Sequence, residues 1–139
     1  MEAVYIAGSP GLSYRKDAHF VPAELKERYP PTQRRILNAL ATAGGILRLV
    51  ELSHPVVAAG VCDTRAGSAL VLANFTYQPI DKLTVRMPMA KRIQTVRSIE
   101  KGDLPFNRET ASPVLQAQGY NAVVMVTIRL GLSDIILWE

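Results

Sequence analysis

A chain of 139 residues is the size of one domain, or of one small domain with an appendage, and is too short for two full ones. Hydrophobic residues at 48% and charged residues at 20% match globular averages, so the chain can build a core and is no disordered tail. The net charge of +4 is spread thinly, +3 over residues 1–50 and +1 over 51–139. The basic doublets Arg34-Arg35 and Lys91-Arg92 carry no interleaved aromatics, which argues against nucleic acid as a partner.

In chain order, Ala3-Val4-Tyr5-Ile6-Ala7 predicts a short strand that stops at the turn formers Gly8-Ser9-Pro10-Gly11. Residues 12–29 are irregular and polar, with a helical turn over 23–28 after Pro22. From Thr32 to Ala43 the residues Ile36, Leu40 and Ala43 recur at helical spacing, widened by Leu37 and Ala41, and predict an amphipathic helix. Pro30-Pro31 precedes it and Gly44-Gly45 follows, the expected punctuation of a helix. The stripe needs a surface to bury itself on, and residues 1–50 offer a single strand.

Residues 46–52 alternate loosely, and Ser53-His54-Pro55 interrupts them. Val56–Cys62 and Ala69–Phe75 then flank residues 63–67, a connection with Gly67 at its end that suits a hairpin. Leu83, Val85 and Met87 alternate with Thr84 and Arg86, the signature of a half-buried strand. Residues 92–99 predict another strand and 104–119 remain unassigned. Val123–Leu130 predicts a strong strand and Ile135–Trp138 a closing one, which should be paired because an open apolar edge would invite aggregation. Six or more short strands without helices between them predict an antiparallel β-sandwich over 51–139, preceded by the strand–helix segment 1–50.

Candidate chemistry is sparse. The single Cys62 excludes an internal disulfide and a cysteine metal site, and reads as a small buried hydrophobe. No apolar run reaches the roughly 18 residues of a membrane-spanning helix, and residues 1–30 do not read as a signal peptide. His19 and His54 stand in different segments without carboxylate or cysteine neighbours at ligand spacing, so no metal or other cofactor is predicted. Ser9 and Ser13 around Gly11 have the wrong spacing for a nucleophile elbow, and Pro10 removes a backbone donor. Asp63, Asp81, Glu100, Asp103 and Asp134 fall in predicted turns, where carboxylates are normally solvated, and nothing pairs two of them for glycoside cleavage. Asn74-Phe75-Thr76 matches the glycosylation sequon at a strand end and reads as accidental. Tyr77 and Tyr120 are the candidate carbohydrate contacts of an aromatic platform. Trp138, on an apolar strand, reads as packing.

Val56-Val57-Ala58-Ala59-Gly60, Gly67 to Thr76, Pro79-Ile80, Leu83-Thr84-Val85, Val96-Arg97-Ser98-Ile99 and Leu132 to Leu137 together resemble the small C-terminal β-sandwich of large bacterial glycoside-hydrolase-like proteins related to family-42 beta-galactosidases. Val4 to Gly8, Pro10 to Tyr14 and residues 31–44 resemble the last strand, loop and helix of the flavodoxin-like α/β trimerisation domain that precedes the sandwich in that family. The resemblance implies that the catalytic carboxylates belong to an upstream barrel, so no catalytic residue carries over to this chain. The expected function is that of a non-catalytic accessory domain, meeting an upstream catalytic domain or a second copy through the Ile36, Leu40 and Ala43 face. The alternative is a stand-alone carbohydrate-binding module using Tyr77 or Tyr120.

Overall fold

The computed structural model describes residues 31–46, 48–65 and 67–139. The expected strand over 3–7, the helical turn over 23–28, and Ser9, Ser13 and His19 lie outside them. The chain divides into two compact units, Met1–Arg48 and Leu49–Glu139.

In the first unit, helix α1 spans Pro31–Ala43. Its end is set by glycine: Gly45 sits at φ 74, a left-handed conformation that costs glycine little. This lets Ile46 N–H reach Ala41 O at 2.8 Å and Gly45 N–H reach Thr42 O at 3.0 Å, the paired bonds of a Schellman stop. Arg48 donates to the side chain of Asn38, tying the following residues back to the helix. Along the predicted stripe, Leu40 is half-buried, Ala43 is exposed and Ile36 is 37% exposed.

The second unit is an antiparallel β-sandwich. Its strands are β1 (Glu51–Leu52), β2 (Val57–Asp63), β3 (Ser68–Asn74), β4 (Ile80–Met89), β5 (Val96–Ser98), β6 (Gly102–Asp103), β7 (Phe106–Thr110), β8 (Ala122–Leu130) and β9 (Ser133–Trp138), with a short helix α2 (Pro113–Ala117) between β7 and β8. One sheet runs β1-β4-β8-β7 and the other β2-β3-β9-β5-β6. The predicted hairpin is β2–β3, whose seven pairs run from Val57 opposite Asn74 to Asp63 opposite Ser68. The closing strand β9 is paired on both sides, with β3 and with β5.

Two segments differ from the sequence expectation. The strand predicted over 92–99 narrows to β5; Thr95 continues the β5–β9 pairing by exchanging backbone bonds with Glu139 at 2.9 and 3.1 Å, while Gln94 N–H turns onto the same Glu139 O at 2.6 Å. The unassigned residues 104–119 hold β7, which pairs with β8, and α2, which is capped by Ser112 and has proline in its first turn.

The core lies between the sheets. Leu83, Val85 and Met87 of β4 and Val124, Val126, Ile128 and Leu130 of β8 face Leu70 and Leu72 of β3, Val96 of β5, and Ile136 and Trp138 of β9. The alternation on β4 and β8 is what period-two side-chain geometry requires of a sheet with one dry face.

Candidate functional site

The two sheets differ on their outward faces. On the β1-β4-β8-β7 sheet most outward residues are charged or polar, with Pro88, Val123 and Met125 the apolar ones. Arg86 of β4 donates to Glu109 of β7 at 2.8 Å and lies 3.9 Å from Glu51 of β1, so one guanidinium spans the sheet. Thr84 lies 3.4 Å from Thr127, and Arg129 pairs with Asp81 at 3.3 Å. This is the ordinary wet face of an antiparallel sheet.

The other sheet has no such face on its first three strands. The β2–β3 register sets Ala58 beside Ala73, Gly60 beside Val71 and Cys62 beside Ala69. The β3–β9 register sets Val71 beside Ile135 and Ala69 beside Leu137. These residues alternate with the inward Leu70, Leu72 and Ile136 and therefore point outward. Val71 is 43% exposed and Ile135 39%. No charged residue interrupts the patch until Arg97 on β5, opposite Leu137. Cys62 is thus exposed, not the buried hydrophobe its composition suggested: the pleat turns it to the same side as Ala58 and Gly60.

The end of the sandwich holding the β2–β3 turn also carries a cavity of about 430 Å³. Tyr120, Lys91, Arg92, Ser68 and Trp138 contribute to its wall. The volume suits a small ligand. The indole of Trp138 is fully buried, and among the described residues its Nε1 has no hydrogen-bond partner. With no exposed surface, that N–H is out of reach of a molecule in the cavity.

Tyr77 and Tyr120 do not form one platform. Tyr77 lies just ahead of β4, 60% exposed with φ 59, while Tyr120 adjoins Asn121, whose N–H bonds Met89 O at the far end of the same strand. The ten residues of β4 hold those ends about 30 Å apart.

Asp134 departs from the expectation of a solvated turn carboxylate. It is the second residue of β9, points inward and is 3% exposed. Ser98 Oγ donates to it at 2.6 Å, Ile135 N–H at 2.8 Å, Lys101 Nζ at 3.3 Å and Glu100 N–H at 3.4 Å. Burial pushes the carboxyl up, but the Ser98, Ile135, Lys101 and Glu100 donors together outweigh it and hold the group below its ordinary value. Every donor belongs to the β5–β6 turn or to the next residue, so the arrangement fastens a turn.

Asn74, the sequon residue, is 7% exposed and both its donors are occupied, by Gln78 O at 2.8 Å and Gly131 O at 2.7 Å. His54 is half-buried in the connection between β1 and β2. Among the described residues no three His, Cys, Asp or Glu gather at metal-binding distance, and no helix is long and apolar enough to cross a membrane. Comparison with known proteins returns no matching family, no matching curated protein and no matching solved structure.

The signal that sequence reading missed is the apolar outward set Ala58, Gly60, Cys62, Ala69, Val71, Ala73, Ile135 and Leu137. It was visible as runs lacking polar alternation.

Proposed function

We propose that residues 49–139 are a non-catalytic accessory β-sandwich that packs against a larger folded body of the glycoside-hydrolase-like type. The single observation behind this reading is the apolar outward face of β2, β3 and β9. A sheet that faces water permanently alternates apolar and polar residues, as Leu83 to Arg86 of β4 and Val126 to Arg129 of β8 do in the opposite sheet of this sandwich. Runs apolar on both faces belong to sheets covered on both sides. Neutral aliphatic and small side chains fit a flat protein surface and offer sugar hydroxyls neither hydrogen bonds nor aromatic stacking.

The reading is tested by detecting peptides from residues 56–139 in size-separated, denatured extract of the source. Migration with a chain several times heavier than 15.2 kDa supports a domain carried by a larger protein, and migration at 15.2 kDa overturns it. Hydrolysis of aryl glycosides by the purified 139-residue chain would overturn the non-catalytic part.

The carbohydrate-binding alternative draws on the cavity beside Tyr120 and has lost Tyr77 as a second contact. It predicts glycan retention that Tyr120→Ala abolishes and Tyr77→Ala leaves intact.

A further inference from the structure

Among the described residues strand β2 is the edge of its sheet, and its seven residues pair with β3 without a bulge. Antiparallel ladders alternate between residues that bond the neighbour and residues whose N–H and C=O point away. Phe75 N–H bonds Val56 O at 3.2 Å and Thr64 N–H bonds Gly67 O at 2.8 Å, which makes the even-numbered residues of β2 the ones bonded to β3. The backbone groups of Val57, Ala59, Val61 and Asp63 therefore point to the open edge.

Natural edge strands are guarded by lysine, proline, bulges or brevity. From Val57 to Cys62 the strand has no charge, no proline and no bulge. We propose that two copies of the chain pair their β2 strands antiparallel about a two-fold axis at Gly60, joining the five-stranded sheets into one.

The occupant is a second copy because the strand is its own complement. A two-fold at Gly60 sets Val57 against the partner's Asp63 and Ala59 against the partner's Val61, so residues with open backbone groups meet residues with open backbone groups along the whole strand. About eight backbone hydrogen bonds can close this way. Each Asp63 meets a valine instead of the other Asp63, so the only charges on the two strands sit at opposite ends of the pairing, roughly 20 Å apart and beyond the screening length. Pairing also makes the apolar outward faces of the two copies continuous. The dimer stands on the edge geometry and holds whether or not the accessory-domain reading does.

The test is sedimentation equilibrium of the full 139-residue chain from micromolar to sub-millimolar concentration. The expected result is a species of twice 15.2 kDa. Ala59→Pro removes an N–H that points away from β3, so it should leave circular dichroism and the melting temperature near wild type while weakening the dimer at least about tenfold. If proline at this position unfolds the chain, Ala59→Lys supplies the same blockade by charge. Ala58→Cys places a thiol opposite the partner's Cys62 at a non-hydrogen-bonded pair, where side chains are closest, and should give a covalent dimer on mild oxidation. A wild-type monomer throughout the range, a dimer that both Ala59 variants leave intact, or crosslinking of Ala58→Cys no faster than wild type overturns the proposal. A monomer that instead takes up an extended peptide at β2 also overturns it.

Discussion

Asn74 donates its side-chain amide to the carbonyl of Gly131 at 2.7 Å, joining two connections that cross between the sheets at the same end of the sandwich. One leads from β3 to β4 and the other from β8 to β9. The Asn74 backbone N–H adds a bond to Leu132 O at 2.8 Å, and its Oδ1 accepts Thr76 N–H at 2.9 Å. One buried side chain thus satisfies backbone groups on both crossings, which would otherwise be costly to bury.

Replacing Asn74 by Ala should therefore cost about 2 kcal/mol, more than an average surface truncation, because buried backbone partners lose their bonds. Asn74→Asp should also destabilise, since the carboxylate cannot donate to Gln78 O or Gly131 O. Urea denaturation checks this: the midpoint falls while the slope stays near wild type.

The carboxyl of Asp134 is held below its ordinary value of 3.8, so it contributes stability above that pH. The contribution is lost as pH falls through the lower folded-state value. Asp134→Asn should cost roughly 1–3 kcal/mol at neutral pH. The gap between wild type and variant should be flat above about pH 5 and close in stronger acid. Thermal unfolding of both proteins as a function of pH measures it, and a gap that widens on acidification would refute the assignment.

Gly67 lies against the end of β9, where an added Cβ would come within 2.4 Å of Trp138 O. Because the obstacle is backbone, the β2–β3 turn must move. Gly67→Ala should destabilise by about 1–3 kcal/mol, as overpacking does. Gly60→Ala meets no atom within 4 Å and serves as the control for substituting glycine on the same hairpin. Paired melting curves separate the two.

Trp138 is the only tryptophan of the chain and is fully buried, so native fluorescence should be blue-shifted and should move to the red on unfolding. Trp138→Ala should cost about 3–5 kcal/mol. Trp138→Phe should cost well under that figure, because it removes the buried N–H that finds no partner among the described residues. Chemical denaturation followed by far-ultraviolet circular dichroism compares the two without needing the indole.

Much of the sandwich was legible from local chemistry. Strict alternation on Leu83 to Met87 placed one face of β4 in the core, turn formers bounded the β2–β3 hairpin, and Gly44-Gly45 marked the end of α1. Each of these signals is contained within a few neighbouring residues, where pleat, turn conformation or helix end dictates the residue type. Tyr77 and Tyr120 are candidate contacts of one aromatic platform by residue type alone, and sequence has no means of knowing that the length of β4 holds them apart.

The sequence alone determined where the chain must extend and where it must turn. It could not determine which way β2, β3 and β9 face, because Val-Ala-Ala-Gly-Val-Cys and Ala-Leu-Val-Leu-Ala are apolar at both parities and either face could have been the inner one. Only the tertiary structure decided that Leu70 and Leu72 enter the core while Val71 and Cys62 look outward. It also decided that Asp134 is enclosed rather than solvated, since its partners Ser98 and Lys101 lie more than 30 residues away along the chain. Period-two geometry fixes alternation along a strand, but pairing with distant strands chooses the dry side.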